Sequence, residues 1–376
     1  MTTINNDKVD KELLFLEDEL SENDDVNKQP PDDIISFNEL RSCADLLRMY
    51  TDNQLKIDPE FQRNLVWSTV EKTRFIDSLT KQLPIPSMCI SLDYKTDERL
   101  VIDGLQRITT IVSFLNQDSW QLSKIDDVDE RLSGKTPSQI KLNNPEVFSK
   151  IQNLTIPITV LRCDYSKKTH MQYLFTIFHR LNSGGSRLNN QEIRNCIYSG
   201  GFNNLLKEIA NSPISMNIFN YSKPNLTVKK IKKNVKPYRY QYEELYLRVI
   251  SFTHSLNMYD GKLSKFLNDF MGDNRSASNM QISIWRENLL KTLSIVNKDM
   301  RMSKFSKTVA EAILYGIYQN LDNASLDSEQ YVVDKINLLR SEEEFSLISL
   351  KEGLASKEKV TGRLSKAAHI FAAESK

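Results

Sequence analysis

The sequence lacks any apolar run of membrane-spanning length, and it has only four cysteines and four histidines among its 376 residues. A membrane helix needs about 20 consecutive apolar residues, so we expect no membrane partner. The cysteines are far apart and show no paired spacing, which argues against a zinc site or a disulfide framework. The polar, acidic N-terminus has neither the basic stretch nor the apolar stretch of an export signal, so we expect a cytoplasmic protein.

The formal net charge is only +1, but the charges are unevenly distributed. Residues 1–33 hold eleven acidic residues against three lysines, and they lack a long apolar pattern. A segment of this composition cannot bury a core of its own. We therefore expect a disordered acidic tail over residues 1–33, with compensating positive charge elsewhere.

A basic segment follows residue 200, and the stretch 223–242 contains no acidic residue. Lysine-rich segments attract a nucleic acid backbone whatever its base sequence. A solvated linker between two domains explains the same composition equally well, so both interpretations stay open. We take residues 201–238 as a basic connecting segment. Its candidate DNA-binding residues, with the arginine that follows it, are Lys229, Lys230, Lys232, Lys233, Lys236 and Arg239.

The most informative motif is DGLQR at residues 103–107, between a β-like run at 99–102 and a helix-patterned run that begins at Ile108. A strand that turns on Asp-Gly into a helix directs backbone N–H groups and the positive end of the helix dipole toward one point, which suits an anion. Arg107 adds a planar guanidinium for phosphate oxygens. Asp103 and Gln106 also have capping-box spacing, so a purely structural helix start is the competing interpretation.

Three further motifs surround this corner in a definite order. Residues 57–63 read IDPEFQR, residues 83–86 read LPIP, and residues 177–194 read IFHRLNSGGSRLNNQEIR. Together with the DGLQR motif they resemble the N-terminal domain of GmrSD-type restriction endonucleases, over roughly residues 35–200. That family has a DGQQR-like signature, so Leu105 stands where the family usually has a glutamine.

The resemblance implies a core similar to the ParB and sulfiredoxin fold, with a nucleoside triphosphate pocket that uses Mg²⁺. The implied catalytic residues are Asp103, Gln106 and Arg107, with Asp103 as the Mg²⁺ ligand or as the group that positions water. The other implied nucleotide-binding residues are Gln62, Arg63, Lys72, Gly104, Asn182, Gly184, Glu192 and Arg194. Structural alternatives exist, since Lys72 could be a surface charge and Glu192 could simply pair with a nearby arginine.

Proteins that resemble this domain often use an HNH nuclease domain, in the same chain or in a partner. Such a domain needs a histidine base and clustered metal ligands. The four histidines here are scattered along the chain, at His170, His179, His254 and His369. We therefore expect that any nuclease is a separate HNH-type subunit, or that this protein does not cut DNA.

These observations favour an NTP-binding, NTP-hydrolysing and DNA-sensing component of a restriction or antiphage defence system, similar to type IV systems. The alternative is a nucleotide-gated DNA-binding adaptor, or a partner subunit without hydrolytic activity. Leu105 bears on the choice. If the glutamine that the family has there touches nucleotide, binding or hydrolysis is impaired here, whereas leucine is harmless if the position only lines a helix.

The hydrophobic pattern predicts an α+β fold with an all-helical domain over residues 239–376. The resemblance implies that the preceding domain, over residues 34–200, is ParB-like. Capping-box spacing at Ser36 and Glu39 predicts a helix over residues 37–49, and the same spacing at Ser68 and Glu71 predicts one over residues 69–82. Further elements are predicted as a hairpin of strands 88–92 and 99–102, a strand 156–162, and helices from 167 and over 240–256, 281–297, 303–320 and 328–340.

Overall fold

The computed structural model describes residues 30–57, 67–181, 188–221, 238–296, 302–346, 349–350 and 354–373. The chain divides into two compact units, with the boundary between Leu188 and Asn189. Among the described residues, 30–181 and Leu188 form the sheet unit, and those from Asn189 onward form the helical unit. The α+β class with a helical second part is thus confirmed.

The sheet unit is built on a five-stranded mixed sheet with the order β1-β5-β3-β4-β2. The outer strand β1 runs antiparallel to β5, and β5 runs parallel to β3. Strand β3 then forms an antiparallel hairpin with β4, whose other edge pairs in parallel with β2. The strand bounds are β1 Ile35–Ser42, β2 Leu55–Lys56, β3 Met88–Asp93, β4 Arg99–Asp103 and β5 Thr155–Cys163.

Helices of the sheet unit pack on this sheet through a continuous apolar core. Leu46, Ile76 and Ile111 come from three different helices and meet the strand residues Ile90 and Ile158, all fully buried. Burial of such side chains contributes about 1.5–3 kcal/mol each. The helix bounds are α1 Cys43–Thr51, α2 Thr69–Thr80, α3 Leu105–Leu115, α4 Pro137–Asn143, α5 Pro145–Asn153 and α6 Lys168–Leu181.

One predicted element of the sheet unit is wrong. The helix expected over residues 37–49 is a strand as far as Ser42, and only then does α1 begin. Ser42 is the actual N-cap, since its side chain accepts a hydrogen bond from the backbone N–H of Asp45. All eight residues of β1 pair with β5, so the long-range ladder outweighs the local capping-box spacing of Ser36 and Glu39.

The other elements predicted for this unit are confirmed. The β3–β4 hairpin, the strand β5 and the helix α6 all lie where the hydrophobic pattern places them. Helix α2 also begins as predicted, because the side chains of Ser68 and Glu71 form a reciprocal capping box. Here no competing long-range pairing opposes the local signal.

Where the structure describes it, the helical unit consists of α-helices with turns and 3₁₀ segments between them. Its interior is formed by buried side chains such as Tyr246, Leu247, Ile313 and Phe371. The four predicted helices correspond to α10, α12, α13 and α14 among the described helices. The bounds are α7 Asn190–Ile197, α8 Gly201–Ala210, α9 Pro213–Ile218, α10 Gln241–Ser255, α11 Leu263–Asp273, α12 Asn279–Ile295, α13 Lys307–Gln319, α14 Glu329–Ser341 and α15 Lys357–Ile370, with 3₁₀ segments at Leu256–Met258, Met302–Lys304, Ala324–Asp327 and Glu343–Phe345.

The first part of the segment predicted as a basic connection, residues 201–238, is helical. Helices α8 and α9 occupy it up to Ile218 and bury Phe202 and Leu205. The helical apolar spacing of α8 lies before the lysine-rich run. A prediction based on the composition of the whole segment therefore missed this helix. Within the described ranges, no helix is long and apolar enough to span a bilayer.

Candidate functional site

The DGLQR motif lies where β4 turns into α3, as predicted. Gly104 is the N-cap of α3 with a left-handed φ of 91°, and no side chain caps the helix. A Cβ atom at this position would lie 2.6 Å from Cγ of Met88, so only glycine fits here without a shift. The capping-box interpretation of Asp103 and Gln106 is therefore wrong, because the turn is made by the glycine backbone.

Asp103 and Arg107 face each other one helical turn apart. Nη2 of Arg107 donates to a carboxylate oxygen of Asp103 at 2.8 Å, and Nη1 donates to the carbonyl of Pro86 at 2.5 Å. The arginine side chain is 15% exposed and the aspartate side chain 34% exposed. The guanidinium is thus held in one orientation at the surface of the corner, with the carboxylate beside it.

The N-terminus of α3 opens at the same corner. The amide of Ile108 donates to the carbonyl of Gly104 at 2.9 Å, which closes the first turn of the helix. The N–H groups of the preceding helical residues lie before this first intrahelical bond, where a helix offers donors and the positive end of its dipole. The corner thus combines backbone donors, an oriented cation and a carboxylate.

Gln106 has a structural partner across the unit. Its side-chain oxygen accepts a hydrogen bond from the backbone N–H of Trp67 at 3.0 Å. The Trp67 ring packs against the core and lies edge-to-face with Phe75, with ring centroids 5.3 Å apart. Gln106 therefore fixes the chain at Trp67, just before α2.

Leu105, the departure from the family signature, is half-buried and packs against the core of the sheet unit. An apolar side chain at this position contributes to packing beneath the first turn of α3. Of the two alternatives for this position, this packing favours the one in which the residue only lines the helix.

Lys72 projects from α2, and its described contact is with Trp120 rather than with the DGLQR corner. Its Nζ atom lies 5.8 Å from the centroid of the Trp120 ring, a cation–π distance. Burial lowers the pKa of Lys72, while the nearby Asp118 raises it in part. Four other predicted nucleotide-binding residues lie outside the described residues: Gln62, Arg63, Asn182 and Gly184.

Glu192 lies in the helical unit, at the start of α7. It forms a capping box with Asn189, and its carboxylate is almost fully buried. Arg239 donates to both carboxylate oxygens, with Nη2 at 2.6 Å and Nε at 3.1 Å. The predicted nucleotide-binding Glu192 and the predicted DNA-binding Arg239 therefore form an ion pair. The other predicted DNA-binding residues lie outside the described residues: Lys229, Lys230, Lys232, Lys233 and Lys236.

Arg194, two residues further along α7, is almost completely buried in the helical unit. Its Nε donates to Asn268 at 2.8 Å, and its Nη1 donates to Glu244 at 3.1 Å. Further bonds at 3.2 Å reach Gln191 and Ser264. Arg194 thus links α7 to α10 and α11.

A network around Arg194 was not anticipated from the sequence. Arg248 donates to Glu244 at 2.6 Å and to Glu311 at 3.4 Å. Together with the bond between Arg194 and Glu244, these contacts connect charged side chains of α7, α10 and α13. The only sequence signal for it is the four-residue spacing of Glu244 and Arg248 on one helix, which is equally common on exposed faces. Burial distinguishes the two cases, and burial depends on the tertiary fold.

Asp103 is the predicted Mg²⁺ ligand. In the parts of the chain that the structure describes, no group of three or more His, Cys, Asp or Glu side chains could hold a metal ion. A single carboxylate still fits Mg²⁺, because this ion is commonly held by one or two carboxylates together with substrate phosphates.

Residues 43–199 match the family model described as GmrSD restriction endonuclease, N-terminal domain. The match begins where α1 begins, includes the whole DGLQR corner, and ends after α7. The family resemblance of this segment is thereby confirmed. No curated protein and no solved structure matched the chain, so the likeness to the ParB and sulfiredoxin fold stays a prediction.

Proposed function

Because residues 43–199 match the N-terminal domain of GmrSD restriction endonucleases, we propose that this chain is the nucleoside triphosphate-binding component of a restriction or antiphage defence system. The single observation that carries the nucleotide site is the corner at residues 103–107. There an oriented arginine, a partly exposed carboxylate and the N-terminus of α3 meet.

Each group at this corner has a role in phosphate binding. The N–H groups at the start of α3 suit an oxyanion, and glycine at 104 lets the backbone approach it closely. Arg107 is held by Asp103 and Pro86, so it loses little side-chain freedom when it grips a phosphate oxygen. In this proposal the phosphate takes the place of the Asp103 carboxylate at Nη2.

Asp103 would then be available for the cation that accompanies the triphosphate. Mg²⁺ supplies charge neutralisation at the β- and γ-phosphates when it is bound. The carboxylate of Asp103 is 34% exposed, so it can reach a ligand without a change in the sheet. Its second proposed role is to accept a proton from the attacking water.

Nucleotide binding without hydrolysis is the second candidate, and one observation favours it. The side-chain oxygen of Gln106 is already bonded to the N–H of Trp67, which gives Gln106 a positioning role rather than a place beside the attacking water. In this form the chain is a nucleotide-gated adaptor, and Asp103 only binds the cation.

DNA is the proposed macromolecular partner, and an HNH-type nuclease subunit supplies cleavage. The family name points to restriction, and the basic run of lysines at residues 229–236 offers sequence-independent attraction to DNA. The ParB-like fold of the sheet unit belongs to the same proposal.

The test is release of phosphate from each of the four ribonucleoside triphosphates with Mg²⁺, with and without duplex DNA. Native protein is compared with Arg107→Ala and with Arg74→Ala. Arg74 is a matched control, because it lies in the sheet unit in an exposed pair with Asp127. We expect Arg107→Ala to weaken nucleotide binding about 10-fold or more, since a charge-assisted hydrogen bond contributes about 1.5–3 kcal/mol.

Turnover or binding that depends on Arg107 and not on Arg74 supports the proposal. Turnover identifies an NTPase, whereas binding by calorimetry without turnover identifies the adaptor. Equal nucleotide affinity in native and folded Arg107→Ala protein contradicts the corner as the nucleotide site.

The DNA part of the proposal has its own test. Replacement of Lys229, Lys230, Lys232 and Lys233 by alanine should flatten the dependence of DNA affinity on salt concentration, by about one unit of slope for each lost phosphate contact. The measurement is fluorescence anisotropy with a labelled duplex between about 50 and 200 mM salt. An unchanged slope assigns this run to a linker.

A further inference from the structure

A row of side chains crosses the sheet from the corner at residues 103–107 to the outer strand β1. The register pairs Asp103 of β4 with Cys89 of β3. Cys89 in turn pairs with Thr159 of β5, and Thr159 pairs with Asn38 of β1. Direct partners in neighbouring strands point to the same face of a sheet. The four side chains therefore lie on one face, in one line across four strands.

The acidity of Cys89 agrees with the position of Asp103 in this row. Burial raises the pKa of the Cys89 thiol to about 12, and the nearby Asp103 carboxylate contributes to the shift. A negative charge disfavours the thiolate when it lies close by. The carboxylate thus lies on the Cys89 side of β4, and the buried Cys89 forms the floor between Asp103 and Thr159.

Polar groups at the other end of the row are hydrogen-bonded to one another. Oγ of Ser87 lies 3.2 Å from Oγ1 of Thr159, and the Thr159 hydroxyl donates to Oδ1 of Asn38 at 2.8 Å. This bond fixes the orientation of the Asn38 amide. Its Nδ2 group is left as an oriented donor, since it has no partner among the residues that the structure describes.

The loop before β3 connects the corner to these polar groups. Arg107 donates through Nη1 to the carbonyl of Pro86, and Ser87 is the next residue along the chain. Pro86 and Ser87 are both exposed. A phosphate group held by Arg107 would therefore have the Ser87 hydroxyl close by, on the side of the corner that leads to β5 and β1.

The outer strand adds apolar surface next to the polar groups. Leu40 pairs with Pro157 and lies two residues after Asn38, so these three side chains share one face. The Leu40 side chain is 69% exposed, and Pro157 is half-buried. Apolar surface with a few placed polar groups is typical of small-molecule sites. This end of the row thus suits a planar ring with polar edges.

We propose that this row is the ribose and base subsite of the nucleotide whose triphosphate binds at residues 103–107. The ribose lies against Ser87 and Thr159, and the base packs on Leu40 and accepts a hydrogen bond from Nδ2 of Asn38. Three strand spacings of about 4.8 Å separate β4 from β1, which gives roughly 14 Å, comparable to the length of an extended nucleoside triphosphate. The inference rests on the proposed function and adds the residues that select the nucleoside.

The family match assigns no role to the outer strand. It covers residues 43–199, whereas Asn38 and Leu40 lie in β1, before the match begins. The phosphate contacts of the proposed site are thus inside the matched segment, and its base contacts are outside. Any preference among bases would then be set by β1.

The experiment is calorimetry of the full chain with Mg²⁺, using inorganic triphosphate and the β,γ-imido analogues of the four ribonucleoside triphosphates. We expect native protein to bind at least one nucleotide analogue more tightly than inorganic triphosphate, since only a nucleoside reaches the row. Asn38→Ala and Leu40→Ser should each weaken that analogue about two- to tenfold and leave the affinity for inorganic triphosphate unchanged. Arg107→Ala should weaken both ligands.

Further variants serve as controls. Asn116→Ala is matched to Asn38→Ala, because Asn116 is an exposed asparagine of the same unit whose Nδ2 donates to Asp118 at 2.8 Å. Ser87→Ala tests the ribose contact and should also weaken only the nucleotide analogue. Asn38, Leu40 and Ser87 are all exposed, so these variants should fold, and circular dichroism checks this.

A loss confined to the nucleotide analogue in the row variants, with Asn116→Ala unchanged, supports the subsite. Equal loss of both ligands in the row variants overturns it, because the phosphates would then lie on the row. If Arg107→Ala weakens both ligands and no row variant changes either, the subsite is overturned and the phosphate site at residues 103–107 stands. If Arg107→Ala has no effect, or folded native protein binds neither ligand, the proposed nucleotide site fails and the subsite with it.

Discussion

Arg107 in the sheet unit and Arg194 in the helical unit were both predicted to belong to the nucleotide site, yet they have opposite surroundings. Arg107 is partly exposed and bonds one carboxylate and one carbonyl at a backbone corner. Arg194 is fully buried and has four side-chain partners. A ligand can compete for the first guanidinium at low cost, whereas displacement of the second would leave several buried polar groups unsatisfied.

The comparison teaches that a motif fixes which residue types are present, and burial then decides which of them can meet a ligand. Arg107 is therefore the better candidate for phosphate binding. Arg194 instead holds Glu244 and Ser264 in position.

The largest effect that separates the two arginines should come from Arg194→Ala. Loss of the guanidinium leaves Glu244, Asn268 and Ser264 without one of their partners inside the helical unit. Removal of one partner of a buried ion pair costs about 3–5 kcal/mol of unfolding free energy. Urea denaturation followed by circular dichroism measures it.

The matched variant Arg286→Ala breaks an exposed pair with Glu208 and should cost less than about 1 kcal/mol. If Arg194→Ala also costs less than about 1 kcal/mol of unfolding free energy, the burial of Arg194 does not give it a larger effect on stability than an exposed arginine has.

A smaller effect of the same kind is expected at Gly104, which shapes the corner beside Arg107. Gly104→Ala places a Cβ atom 2.6 Å from Met88 Cγ in a left-handed backbone conformation. We expect a loss of about 1–3 kcal/mol. Gly362→Ala is the control, because Gly362 is exposed within α15 and has nothing within 4 Å of such an atom. Gly362→Ala should stabilise the protein by up to about 1 kcal/mol. A change in unfolding free energy in the same direction for both variants would contradict a strained turn at Gly104.

The smallest expected effect concerns acid stability, where each unit has a carboxyl group with a pKa lowered to about 2. Hydrogen bonds from Lys167 and His170 lower the pKa of the half-exposed Asp33 in the sheet unit. Burial opposes the shift at Glu244, where Arg248 and Arg194 prevail.

A carboxyl group with a lowered folded-state pKa stabilises the protein above its unfolded pKa, about 4.5 for Glu244, and this stabilisation is lost as the pH falls toward about 2. In the Glu244→Gln variant, the free energy of unfolding should therefore fall less steeply over this pH range than in native protein. The difference should be larger than for Asp33→Asn. High salt should reduce the Asp33 effect and leave the Glu244 effect, because exposed pairs are screened. Acid titration of the unfolding midpoint at two salt concentrations checks both statements.

Local signals in the sequence predicted the structure where no distant segment competed. Ser68 and Glu71 form the expected capping box, and the glycine of DGLQR makes the expected corner. Ser36 and Glu39 have the same spacing but lie in a strand, because β5 pairs with the whole of β1.

The sequence could not predict which residues the charged side chains pair with. Glu192 and Arg239 are 47 residues apart, and Arg194 and Asn268 are 74 residues apart. Spacing along one helix reveals a pair such as Glu244 and Arg248, but it does not reveal that the pair is buried. The candidate site at residues 103–107 was predictable because all its chemistry is carried by one short segment.

The pairing of β1 with β5 also sets the order in which the sheet unit can fold. Ile35 pairs with Arg162, so the two partners are 162 − 35 = 127 residues apart in the chain. During synthesis β1 has no strand to pair with until residue 163 has left the ribosome, and contacts of this range fold slowly. Its apolar side chains at Phe37 and Leu40 stay exposed even in the finished fold, at 39% and 69%. The nascent sheet unit should therefore depend on protection from aggregation until its last strand arrives.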